Sequence, residues 1–175
     1  MTGYIILIIV AIIAILALIF YSNYIKLKTY KDKMDKAEMI IETNLSKKLE
    51  IIIEINSVVK KLIGKKDYLK EFTDIENLIM TNIEKDWKLN DAEKLINDLS
   101  LDVKELNKDK KFNDLLKQIR EIDELLISAK NIFNSNAFQS NQLIKTFPNN
   151  IIAKIANLRI RSYYNKNNPE DNDNF

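Results

Sequence analysis

The chain has 175 residues, 30% of them charged and 46% hydrophobic, which suits one domain and leaves no room for a second large one. Two Gly and two Pro leave little material for tight turns or phosphate-cradling loops, so long uninterrupted helices are expected. The absence of His and Cys excludes Ser-His-Asp, Cys-His, His-zinc and thiolate chemistry. A net charge of +2, from 27 basic and 25 acidic residues, is too balanced for a chain built to wrap nucleic acid, and no nucleic-acid partner is expected.

In chain order, the first element is the uncharged run YIILIIVAIIAILALIFY from Tyr4 to Tyr21. At about 1.5 Å per residue, some 20 residues cover the ~30 Å hydrocarbon layer of a bilayer. Tyr4, Tyr21 and Tyr24 stand where aromatic side chains favour the headgroup boundary. A cleaved signal peptide should start with a basic residue and end in small residues, and this run does neither. Residues 1–25 are therefore predicted to be an uncleaved transmembrane anchor, with the lipid bilayer as its partner. Lys26, Lys28, Lys31, Lys33 and Lys36 crowd just after the run and nothing basic precedes it. Positive charge stays inside, which predicts a short N-terminus outside and a cytoplasmic C-terminal domain.

Beyond the anchor, Leu27, Tyr30, Met34, Ala37, Ile41, Leu45, Leu49, Ile52, Ile55, Val59 and Leu62 recur every three or four residues. They form one helical stripe continuing from the membrane segment to a stop at Gly64. A second helix is expected from Asp67 as N-cap, with Leu69, Phe72, Ile75, Ile79 and Ile83 inward. The periodicity fails around Trp87 to Asn90. Asn90 followed by Glu93 resembles a capping box opening a third helix, with Leu95, Leu99, Val103 and Leu106 inward. A fourth stripe runs Phe112, Leu115, Ile119, Ile122, Leu126, Ala129, Phe133, Ala137, Ser140 and Ile144, and Pro148 ends it. The expected fold is all-α: an N-terminal transmembrane helix running into an elongated antiparallel four-helix bundle of two long and two shorter helices, over residues 26–147. A competing arrangement fuses the second and third helices and gives three long antiparallel ones.

The string AKNIFNSNAFQSNQLIKTFPNNIIAK, from Ala129 to Lys154, resembles the C-terminal signature of the LemA family of bacterial membrane proteins. That signature has an aromatic-Asn dipeptide, a second one a heptad later, then Phe-Pro and a short Asn-containing apolar segment. Phe133-Asn134 fits the first dipeptide, Ser140-Asn141 occupies the second without its ring, and Phe147-Pro148 with Asn150 and Ala153 fits the rest. Lys47 and Lys48 look like a paired basic position of the family. Asn157 stands where members commonly have Gly, and Asn is the residue next most tolerant of a left-handed backbone. The resemblance implies a four-helix bundle on an anchor in the bacterial cell membrane. It implies neither an enzymatic activity nor a cofactor.

Phe133, Asn134, Asn141, Phe147, Pro148, Asn150 and Ala153 are thus the candidate structural or interaction motif. Buried Asn side chains a heptad apart fix helix register or hydrogen-bond backbone more often than they contact a partner. Glu50, Glu54, Arg120, Asp123 and Glu124 read as solvated charged faces, and no metal ligands are assigned. Residues 148–164 are apolar and basic together, with Lys154, Arg159 and Arg161 as candidate contacts to a membrane surface. Residues 165–175 (NKNNPEDNDNF) read as a disordered polar tail. No catalytic constellation is present. The expected role is a membrane-anchored structural or protein-interaction module with a protein partner, the alternative being a small-ligand receptor or enzyme with a site inside the bundle. Partner identity and oligomeric state are not encoded in any motif.

Overall fold

With few Gly and Pro to interrupt them, the apolar stripes become long helices, and a computed structural model describes residues 2–64 and 67–164. The elements are α1 (Thr2–Ile63), α2 (Lys70–Thr73), a 3-10 turn (Asp74–Asn77), α3 (Asn82–Asp102), α4 (Lys104–Lys108), α5 (Lys110–Ile144) and α6 (Asn149–Ile155). The described residues are all-α, with no strand. The predicted tail at 165–175 lies outside them.

Helix α1 is unbroken for 62 residues and ends where the sequence placed its stop. Gly64 takes φ +114 and donates its N–H to the Lys60 carbonyl, a conformation that costs any residue with a Cβ. Eight of the predicted inward positions from Met34 to Val59 are buried, as is Leu27, whereas Leu62 is exposed. The α5 stripe from Phe112 to Ser140 is buried at every predicted position. That helix starts at Asp109, whose carboxylate accepts the Phe112 N–H at 2.8 Å.

The middle of the chain differs from expectation. The break falls at 78–81, not at Trp87 to Asn90. Thr81 is the N-cap of α3: its hydroxyl accepts the Glu84 N–H and the Glu84 carboxylate accepts the Thr81 N–H, a reciprocal capping box. That pairing holds the Glu84 carboxyl below its ordinary range, chiefly through the Thr81 backbone N–H. Trp87 and Asn90 lie within α3, so Asn90 caps nothing. Asp67 is not an N-cap either. Its carboxylate takes the Asn56 amide at 2.9 Å and pairs with Lys60, which lowers its pKa through the Lys60 hydrogen bond first. Ile79, expected inward, is fully exposed, and Val103 is the C-cap of α3.

The described residues fall into two compact units, one within residues 38–130 and one made of residues 2–37 with 131–164. In the first, Lys111 pairs with Glu54 while Asp123 pairs with Lys48, so residue numbers in α5 rise as those in α1 fall and the helices are antiparallel. Lys130 pairs with Asp86, and Asp123 and Glu93 meet at Lys48, so α3 is also antiparallel to α5. It therefore runs the same way as α1. The return between them is made by α2, the 3-10 turn and non-helical chain, with Leu69 and Ile75 buried, where a whole helix was expected.

In the second unit, Leu27 of α1 packs with Ile152 and Ala153 of α6, and Phe20, Leu143, Ile144 and Leu158 close around them. The segment after Pro148 thus lies against α1 where its apolar run ends. Helix α6 ends in a Schellman motif. Asn157 has φ 51, Leu158 N–H bonds the Ala153 carbonyl at 2.8 Å, and Asn157 N–H bonds the Lys154 carbonyl at 3.3 Å. Here Asn holds the left-handed position expected of it.

Candidate functional site

Two constellations stand out, one in each unit. In the unit of residues 38–130, the side chain of Lys48 is fully buried on the inward face of α1, between Leu45 and Ile52. Its Nζ donates to Asn90 Oδ1 at 3.1 Å, Glu93 Oε2 at 2.7 Å and Asp123 Oδ1 at 2.7 Å. Three donors meet three acceptors, which satisfies the ammonium completely. The two α3 acceptors are one helical turn apart, and that spacing lets both point at one atom. Burial pushes the Asp123 carboxyl above its ordinary value, against the pull of Lys48, with Glu93 adding a smaller upward push. Asp123 had been read as part of a solvated face and is instead part of this centre. A second ion pair, Lys130 with the buried Asp86, joins α5 to α3 through both carboxylate oxygens at 2.6 Å.

Sequence reasoning missed both centres. A signal was available: Lys48 falls in phase with Ile41, Leu45, Ile52 and Ile55, a position where an unpaired lysine is rarely tolerated.

The other constellation is the motif on α5. Asn134 donates its amide to the Tyr164 carbonyl at 2.8 Å and accepts the Tyr164 N–H at 2.8 Å. Asn141 does the same with Arg161, donating to its carbonyl at 2.8 Å and accepting its N–H at 2.9 Å. Tyr163 places its hydroxyl 3.2 Å from the Asn141 amide nitrogen. Each side-chain amide thus pairs with main chain as a neighbouring strand would. The spacings explain why two asparagines suffice. Seven helical residues rise ~10.5 Å, and three residues of nearly extended chain span about the same distance. Residues 159–164, in neither helix nor strand, therefore run antiparallel to α5 with Arg161 and Tyr164 in step with the two amides.

Phe133, buried to 2% exposure, serves the side chains of that segment. Tyr164 meets it edge to face at 5.0 Å between ring centroids, and the Arg161 guanidinium lies 5.6 Å from its centroid. At the second dipeptide Ser140 replaces the ring and is buried, and the Asn141 bonds are intact without it.

The remaining motif residues go elsewhere. Phe147 is 77% exposed, and Pro148, after a cis peptide bond, is the N-cap of α6. Asn150 is exposed and accepts the Ile151 N–H at 2.8 Å, whereas its neighbour Asn149 is buried and donates to Thr146. Ala153 is in the core. Lys154 and Arg159 are exposed, while Arg161 is turned onto Phe133.

An all-helical chain with an apolar N-terminal helix, whose last long helix pairs two asparagines with its own C-terminal backbone, defines a narrow class. The chain belongs to the LemA family, whose pattern it matches over residues 37–174. That stretch takes in the Lys48 centre and the asparagine pair, and the apolar run precedes it. No curated protein and no solved structure matches the chain.

Proposed function

We propose that the chain is a non-catalytic, single-pass membrane protein that presents a helical bundle to a protein partner beside the cytoplasmic face of a bacterial membrane. The observation that carries this reading is the state of the first turns of α1. From Tyr4, 76% exposed, to Ile19, 43% exposed, its large apolar side chains lie open in a helix long and apolar enough to cross a bilayer. Hydrocarbon is the medium in which such a surface is stable. The lysines after it favour a cytoplasmic bundle.

The apolar-basic segment fits the boundary of that bilayer. Phe147, Ile151, Ile155 and Ile160 are exposed, Lys154 and Arg159 stand beside them, and Ile152, Ile155 and Ala156 share a groove with Phe20, Tyr21 and Tyr24 of α1. Apolar side chains in lipid with cations at headgroup level is the interfacial arrangement. In this reading the bundle has four passes, the second of them incompletely helical, and its even number returns the chain to the membrane. The Lys48 ammonium is fully satisfied by acceptors from two other helices, which supports a structural centre over a small-ligand or catalytic site inside the bundle.

Photocrosslinking residues placed across the exposed faces of α3 and α5 in cells should capture a protein partner. Capture of the chain alone would count against the reading. Protease added to intact cells should spare everything beyond Lys26, and digestion there would reverse the orientation.

A further inference from the structure

The asparagine pair holds main chain, not side chains, and that distinction carries a further assignment. We infer that the α5 face bearing Phe133, Asn134 and Asn141 is a binding site for an extended peptide, in which residues 159–164 of the same chain sit as a resident ligand. Four amide hydrogen bonds go to the N–H and C=O groups of Arg161 and Tyr164, groups that every residue but proline supplies. This is the bonding by which grooves take peptides with little regard to sequence: main-chain bonds give affinity and side-chain pockets give preference.

The preference is set by Phe133. It offers an edge-to-face contact to an aromatic residue at the Tyr164 position and a ring face to a cation three residues earlier. Asn141 adds a donor to the hydroxyl of a tyrosine at the Tyr163 position. The ligand class is therefore an extended peptide of the form cation-x-aromatic-aromatic, running antiparallel to α5. Residues 158–164 (LRIRSYY) present that chemistry and follow α6 directly, so the resident segment and an incoming one compete for the same amides. The site deepens the interaction-module reading by naming the partner's chemistry, on which it rests. Its test uses purified protein, so it can fail while capture in cells succeeds, and the reverse.

The test is peptide binding to the full chain in detergent micelles, read by fluorescence anisotropy of labelled LRIRSYY. R161P/Y164P removes the two resident N–H donors while keeping a backbone compatible with extended chain. This variant should bind the peptide at least about tenfold more tightly than the unaltered chain, by removal of the competing segment. Adding N134A/N141A should abolish binding, and a peptide N-methylated at the residues matching Arg161 and Tyr164 should not bind. Should the proline variant lose its helical circular dichroism, the unaltered chain at raised peptide concentration replaces it, with the same N134A/N141A and methylated-peptide controls. Equal binding of the methylated peptide, or no binding by a variant with parental helix content and Trp87 emission, would overturn the assignment.

Discussion

Replacing Lys48 by Met keeps the length and the apolar stem of the side chain and removes only the ammonium. Glu93 and Asp123 then face each other with no cation, and Asn90 Oδ1 loses its donor. Breaking a buried ion pair by deleting one partner costs about 3–5 kcal/mol. The two carboxylate side chains are 27% and 26% exposed, so water recovers part of the loss and about 2–3 kcal/mol is expected. The assay is urea unfolding of the full chain in micelles, followed through Trp87, the only tryptophan, which lies on α3 next to Asp86. K48M/E93Q/D123N should regain most of the stability, because neutral amides need no counter-charge. The pH dependence has a definite sign. A carboxyl whose folded pKa is raised, as burial raises Asp123, contributes stability that is present below its unfolded value near 3.8 and lost as pH rises through the folded value. Without the lysine that rise is larger, so the deficit of K48M should shrink on acidification. A loss below about 0.5 kcal/mol, the range of ordinary surface substitutions, would refute the account of the centre.

Asn157→Val should destabilise the α6 turn by about 1–2 kcal/mol, because a β-branched residue resists positive φ, while Asn157→Gly should be close to neutral; exchange of the Leu158 amide reads both. Thr81→Ala should cost about 1 kcal/mol through loss of the α3 cap, measured by the same urea titration. Glu84 has a lowered pKa, so its contribution is present above its unfolded value near 4.5 and is lost as pH falls through the folded value; Glu84→Gln should flatten that acid-side decline. Ala14→Arg should impair membrane integration, at ~2.5–3.5 kcal/mol on insertion scales, and fractionation of cells showing undiminished integration would contradict the reading of the apolar run.

The long helices were legible because a 3.6-residue period sustained over more than 30 residues admits one interpretation, and Gly64 and Pro148 marked their ends. The middle was not. Between residues 64 and 81 the apolar positions Leu69, Phe72 and Ile75 have helical spacing but span only a short helix and a 3-10 turn, with Leu69 and Ile75 buried, because so short a segment gains too little from local helix propagation to form a full helix. The family resemblance marked Asn134 and Asn141, and their heptad spacing placed them on one face. What they bind was hidden, because the partner is main chain 20 and 30 residues away and main chain has no sequence signal. Lys48 was hidden differently: its spacing was visible, but its acceptors come from two other helices, and a lysine on an apolar stripe becomes interpretable only with those in view.

The Lys48 centre also gives the seam between helices an address. Leu45, Ile52 and Val59 are buried seven residues apart, and such a row would accept a slide of one heptad with almost the same apolar contacts. A slide moves the ammonium as well. It would leave Asn90, Glu93 and Asp123 facing Ile41 or Ile55, the α1 positions a heptad away, with two carboxylates repelling each other and no cation between them. Oil fills either alignment equally; a single charge in the middle makes one of them the fold and the other an error.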